Sequence, residues 1–195
     1  MKHTLELYWD FSSPFAYLGT TQAERVAAQY GATLIWRPML LGALFKAIGQ
    51  ADVPIFSWPE AKRAYFFRDL DRWANHWGVP FRFPERFPVN SVKALRAYLA
   101  LPEERRGDFR SKVFEAYWSR GEDISDEVVL GRLLGREAEQ VLARTRDEDI
   151  KQALFQATQR AVDAGVFGAP TWVVDGEHLF WGQDRLPLVE RALCL

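Results

Sequence analysis

Two serines and a proline, Ser12-Ser13-Pro14, stand between an alternating run from Thr4 to Trp9 and a helix-like run from Phe15. A helix start presents unpaired N–H groups and the positive end of its dipole, a setting that favours an anion such as a thiolate. A serine hydroxyl there can donate a hydrogen bond to a bound sulfur and lower its pKa, as helix N-termini do for cysteine thiols. The single cysteine, Cys194, lies one residue from the end. A thiol held at Ser13 must therefore arrive as a ligand. Taken alone, a serine before a helix is a cap worth about 1 kcal/mol, and the thiol reading gains its weight from two further motifs.

The first is Val166-Phe-Gly-Ala-Pro-Thr171. Pro170 heads an extended run, where proline is tolerated; a cis bond there is uncommon a priori, at about 5% of X–Pro bonds. Ala169 can offer its backbone N–H and C=O to an extended peptide, a form of strand addition. The second is Phe180-Trp-Gly-Gln-Asp-Arg185, in which Gly182 turns the chain, exposed N–H groups can hold a carboxylate and Asp184 can receive an ammonium group. Outside that context Asp184 reads as a helix cap and Arg185 as a solvated side chain. Lys62 and Arg37 are candidate partners for a ligand carboxylate and Asn90 a candidate polar contact, with a solvated face or loop capping as the plainer role for each. His3, His76 and His178 lack metal-ligand spacing and receive no role.

The elements that must position these residues follow from hydrophobic period. Leu5, Leu7 and Trp9 alternate with Glu6, Tyr8 and Asp10, predicting a half-buried strand. Pro14 then opens a helix that has Ser13 as its cap and Gly31 at its end. Thr33 to Arg37 predicts a buried second strand parallel to the first, completing a βαβ unit. From about 41 to 160 helical periodicity dominates: Phe66, Leu70, Trp73 and Trp77 fall at i, i+4, i+7 and i+11 before Gly78 and Pro80. Further amphipathic runs start near Ser91, Asp108, Ser125 and Asp147. Thr171 to Val174, the turn pair Asp175-Gly176 and Glu177 to Trp181 predict a hairpin, and a last helix after Asp184 buries some combination of Leu188, Val189, Ala192 and Leu193.

Composition narrows the classes. The 195 residues are 48% hydrophobic and 26% charged with a net charge of -1, an ordinary soluble profile with no electrostatic case for nucleic acid. No apolar run approaches the roughly 18 residues of a membrane span, and no signal pattern opens the chain, so a cytoplasmic location is expected. One cysteine excludes an internal disulfide and a Cys-x-x-Cys exchange centre. Eight Trp and fourteen Phe hint at an aromatic-walled cavity, although any single ring is more often core.

The chain resembles the 2-hydroxychromene-2-carboxylate isomerases and the related kappa-class glutathione transferases, within the DsbA-like branch of thioredoxin folds. The resemblance runs along essentially the whole sequence: Asp10-Phe11 with Ser13-Pro-Phe15 and Tyr17-Leu18, Trp36-Arg-Pro38, Lys62 with Tyr65, Asp69 and Arg72-Trp-Ala74, Phe87-Pro-Val-Asn-Ser91, Gly168-Ala-Pro-Thr171 and Trp181-Gly-Gln-Asp-Arg185. It implies an α/β fold, a thioredoxin-like domain (1–40 plus 161–195) split by a large all-α insertion (41–160) that serves the substrate. It further implies reduced glutathione as cofactor, with Ser13 at its sulfur, Ala169 and cis-Pro170 along its backbone, and Trp181, Gly182, Gln183 and Asp184 at its γ-glutamyl end. The expected activity is isomerisation of a small aromatic carboxylate by reversible thiolate addition, with Arg37, Lys62, Asn90 and the Gly49-Gln50 loop on the substrate side, in a homodimer. Many relatives have Gly-Asn where this chain has Gly49-Gln50. The alternatives are a kappa-like glutathione transferase or peroxidase and a redox-inactive module whose cis-proline groove binds extended peptides.

Overall fold

The computed structural model describes residues 2–50 and 53–195. Strand β1 (Thr4–Trp9) leads into helix α1 (Pro14–Gln29) and strand β2 (Thr33–Pro38). Helices α2 (Leu41–Ala47), α3 (Glu60–Trp77), α4 (Val92–Ala100), α5 (Glu103–Trp118), α6 (Glu127–Leu134), α7 (Ala138–Arg144) and α8 (Glu148–Asp163) follow. The chain closes with the hairpin β3 (Thr171–Val174) and β4 (His178–Trp181) and helix α9 (Leu186–Ala192). The sheet order is β2-β1-β3-β4, with β1 parallel to β2 and antiparallel to β3. This is a thioredoxin-type sheet, in which the parallel β1–β2 pair requires the α1 crossover and the antiparallel β3–β4 pair needs only the turn at Asp175-Gly176.

Side-chain alternation decides which helix covers which face. Leu7 pairs in register with Trp36, and Arg110 of α5 lies 3.3 Å above the Trp36 ring while its guanidinium donates to Glu24 of α1. That face therefore holds α1. Tyr8 and Arg37 form the neighbouring register pair on the other face, where Arg160 of α8 is close enough to act on the Tyr8 hydroxyl. Between β2 and β3, Trp9, Phe11, Tyr98 and Phe114 meet edge to face with centroids about 5 Å apart, so α4 and α5 pack onto the end of β1.

The expected order of elements is present, with corrections at four places. Strand β2, expected to be buried, is at most half-buried from Thr33 to Arg37 because it is the edge strand beside β1. Helix α5 begins at Glu103 rather than near Asp108, because Pro102 and the acidic pair Glu103-Glu104 start it before any apolar residue appears. Helix α7 is an additional short helix before α8. Leu188 is half exposed, and Leu186 takes its place in the core beside Val189, Ala192 and Leu193. No helix among the described residues is long and apolar enough to cross a membrane.

Candidate functional site

Ser13 caps α1: its Oγ accepts from the Ala16 N–H at 3.1 Å and its hydroxyl donates to the Ala169 carbonyl at 2.9 Å. The oxygen is thus fixed at a helix start and aimed at the loop that precedes β3. Pro14 contributes no N–H, Ala16 is used by the cap and Tyr17 bonds the Ser13 carbonyl, which leaves the Phe15 N–H as the first-turn donor outside the cap. Ser13 is only 5% exposed, so a ligand atom reaching it meets one hydroxyl, one helix terminus and little water.

The loop leading to Ser13 is held from three directions. The Asp10 carboxylate accepts from Ser12 N–H at 2.9 Å and from Leu41 N–H at 2.7 Å, joining the β1 end to the start of α2. The Ser91 hydroxyl at the N-cap of α4 is near enough to favour the carboxylate form. Trp118 at the end of α5 donates its indole N–H to the Phe11 carbonyl at 2.8 Å. Burial raises the Asp10 pKa and the hydrogen bonds oppose it, with burial the larger. Asp10 was assigned no role from sequence, although its spacing to Ser12 is an Asx-turn signature that could have flagged it.

On the opposite side, the Ala169–Pro170 bond is cis, as the loop reading anticipated. Close approach shapes this region at two glycines. A Cβ on Gly19 would lie 3.1 Å from Pro170 Cγ, so the bare helix face lets α1 rest on the proline. A Cβ on Gly168 would run into the Trp181 indole, so that ring covers the loop leading to Ala169. Gly182 N–H donates to the Pro170 carbonyl at 2.9 Å, and Trp172 donates its indole N–H to the Gly182 carbonyl at 3.1 Å. Ser13, Ala169, Pro170, Trp181 and Gly182 are thereby brought together. Gln183 is buried in a 3-10 turn packed on α1, and Asp184 pairs with Arg185 at 2.5 Å rather than capping α9.

The residues expected on the substrate side are dispersed. Lys62 lies with its ammonium 4.1 Å from the Trp58 ring centroid. Trp58 meets Phe66, and Phe66 meets Phe15 in the first turn of α1 at 5.3 Å, so an aromatic series links Lys62 to the helix start at Ser13. It continues through Phe67, Phe83 and Phe87, of which Phe67 is 39% exposed. Arg37, in contrast, is engaged by Glu6 at 2.5 Å, a pairing that raises its pKa, and its charge is already matched. Gly49 and Gln50 form the turn that ends α2, where Gln50 N–H returns to the Phe45 carbonyl at 2.8 Å. Asn90 accepts from Val92 N–H at 3.0 Å, the loop-capping role.

This donor set fits an extended thiol peptide. It offers a hydroxyl at a helix start for the sulfur, a carbonyl beside it for a peptide N–H, and a turn with backbone donors next to an acidic side chain for an amino-acid end. Residues 4–194 match the model of the DSBA-like thioredoxin domain. The chain is 28% identical over 194 residues to a 2-hydroxychromene-2-carboxylate isomerase of Pseudomonas putida, covering 97% of this chain and 93% of that one. It is also 28% identical over 210 residues to human glutathione S-transferase kappa 1, covering 99% and 92%. A solved 2-hydroxychromene-2-carboxylate isomerase superposes with a TM-score of 0.82 at 27% identity over 98% of this chain and 94% of the other.

Proposed function

The chain belongs to the DSBA-like thioredoxin family, and on that premise we propose that it is a glutathione-dependent isomerase of small conjugated aromatic carboxylates, interconverting 2-hydroxychromene-2-carboxylate and trans-o-hydroxybenzylidenepyruvate or a close relative. The observation that carries this reading is the position of Ser13, whose oxygen is locked by Ala16 N–H while its hydrogen rests on the Ala169 carbonyl. Glutathione, when bound, supplies a thiolate whose reversible addition makes a conjugated double bond free to rotate.

The chain's own residues have defined tasks in this scheme. The Ser13 hydroxyl swings from the Ala169 carbonyl to the sulfur while its oxygen keeps the helix cap, so no heavy atom of the cap has to move. The carbonyl released at Ala169 takes a peptide N–H in exchange. The helix start and the low exposure of Ser13 strengthen that charge-assisted bond. The aromatic series from Phe15 to Phe67, its rings set edge to face, offers an apolar wall for the acceptor, with Lys62 at one edge to meet a carboxylate or an enolate oxygen. Arg37 needs release from Glu6 before it could do the same, which places Lys62 ahead of it. In this scheme residues 1–40 with 161–195 hold glutathione and 41–160 receive the acceptor.

The test is titration of the protein with reduced glutathione, following thiolate absorbance against pH, and then addition of the chromene carboxylate. Saturable binding, a lowered thiol pKa and product formation with glutathione undiminished support the isomerase. Stoichiometric loss of glutathione would instead select the transferase chemistry named in the kappa relatives. Absence of binding would discard both in favour of a peptide-binding groove. Sedimentation of the purified chain tests the homodimer.

A further inference from the structure

A cavity of about 220 Å³, lined mainly by polar side chains, opens between the first turn of α4 and the junction of α7 with α8. Three cations line it: Lys93 and Arg96 from α4 and Arg146 from the segment after α7. Glu127 of α6 answers two of them, accepting from Lys93 at 3.0 Å and from Arg146 at 3.2 Å, and those bonds hold its carboxyl below the usual range. Arg96 is different. Its Nε is buried without a hydrogen-bond partner, although an unmet buried donor is costly and most such groups find an acceptor.

The hydroxyls around the cavity are already committed as donors. Ser125 gives its hydrogen to Asp123 at 2.5 Å, and Thr145 gives its hydrogen to the Leu142 carbonyl at 2.7 Å. Asn90 uses its side-chain oxygen on Val92 N–H, which turns its amide N–H groups outward. The open donors are therefore the Arg96 guanidinium, the two cations shared with Glu127 and the Asn90 amide, joined by the positive end of α4. Glu148, with Lys151 and Gln152 beside it, is the other acidic group near Arg96, and Asp123 is occupied by Ser125 and Arg86.

We propose that this cavity binds a compact dianionic oxyanion of the phosphate type, with Arg96 and Asn90 donating to it and Lys93 and Arg146 turning to it from Glu127. A dianion is specified because Glu127 already satisfies two of the three cations, so a monoanion has little to gain by displacing it. The pairing of guanidinium fork and oxyanion supplies the geometry that the orphaned Nε lacks. The site is independent of the thiol chemistry assigned to Ser13.

Calorimetric titration of the full chain with inorganic phosphate at low ionic strength tests it, with acetate and succinate as monoanionic and dicarboxylate arms. The expected result is saturable binding of phosphate at one site, weaker binding of succinate and none of acetate. Arg96→Gln should weaken phosphate about tenfold or more, the range for losing a charged hydrogen bond. Glu127→Gln, at a surface position, should tighten it, and Ser13→Ala should leave it unchanged. Absence of saturable phosphate binding overturns the proposal. So does phosphate binding that Glu127→Gln fails to strengthen, a result that stands even if Arg96→Gln does not fold.

Discussion

Replacing Ser13 separates its two tasks, because capping and thiol stabilisation depend on different parts of the same hydroxyl. Ser13→Ala removes the acceptor for Ala16 N–H, a loss of about 1 kcal/mol, or about 2–4 °C in Tm for a chain of this size. Ser13→Gly costs only a few tenths of a kcal/mol as a cap. Both variants strip the donor from the Ala169 carbonyl, so that term is common to them. At the sulfur the two are equivalent: a hydrogen bond to a charged group contributes roughly 1.5–3 kcal/mol, which at about 1.4 kcal/mol per pKa unit raises the bound thiol pKa by about 1–2 units. Turnover should fall about 10- to 1000-fold in both, the range for losing one donor to developing charge. The assay is the ultraviolet thiolate titration of bound glutathione, paired with thermal melts. Equal thiol pKa shifts with unequal Tm values are expected. A bound-thiol pKa that stays where it is in wild type would refute the assignment of Ser13, whatever happened to stability.

Asp184→Ala should weaken glutathione about tenfold while leaving the melting temperature within a few degrees, since its partner Arg185 is half exposed; calorimetry with unchanged affinity would leave Asp184 as no more than a surface ion pair. Gly168→Ala should push the Trp181 ring off the loop before Ala169, costing about 1–3 kcal/mol for an overpacked contact and weakening glutathione together with a change in tryptophan fluorescence. If fluorescence and affinity both stay at wild-type values, the ring does not form that wall. For Asp10, burial raises the folded-state pKa, so the folded chain keeps this proton to higher pH than the unfolded chain. Its contribution to stability is then greatest in acid and is lost as pH rises through the folded value. In denaturant titrations the stability of wild type minus that of Asp10→Asn should fall as pH rises, and a difference that rises with pH would contradict the raised pKa.

What the sequence made legible depended on whether the deciding interaction is local. The βαβ opening, the cap at Ser13 and the Asp175-Gly176 hairpin each rest on residues within one turn or one strand, and each stands where period and turn chemistry placed it. Hydrophobic period places the start of α5 too late because its first turn, Glu103 to Arg106, is charged throughout, and Pro102 with the acidic pair announces the start rather than an apolar stripe. The fate of Arg37 required the strand register. Glu6 sits opposite Ile35, one diagonal step from the Arg37 position, so the ion pair exists only once β1 and β2 are aligned.

The aromatic series shows the same boundary from the functional side. Phe15, Trp58, Phe66 and Phe83 are spread over nearly seventy positions of sequence, and nothing in their spacing says that they touch. Their meeting depends on α3 packing against α1, and that packing carries Lys62 along to the rim. Arg110 makes the dependence explicit: buried above Trp36 and close to Tyr98, it fastens α5 to the sheet through a contact that no local pattern announces. Its carboxylate partner among the described residues, Glu24, is largely exposed, so the guanidinium is held mainly by the ring beneath it rather than by the ion pair. At the proposed thiol end the helix cap at Ser13 is local, but the Ala169 carbonyl beside it arrives from 156 residues along the chain through the sheet, and the proposed acceptor end is set by how the helices dock.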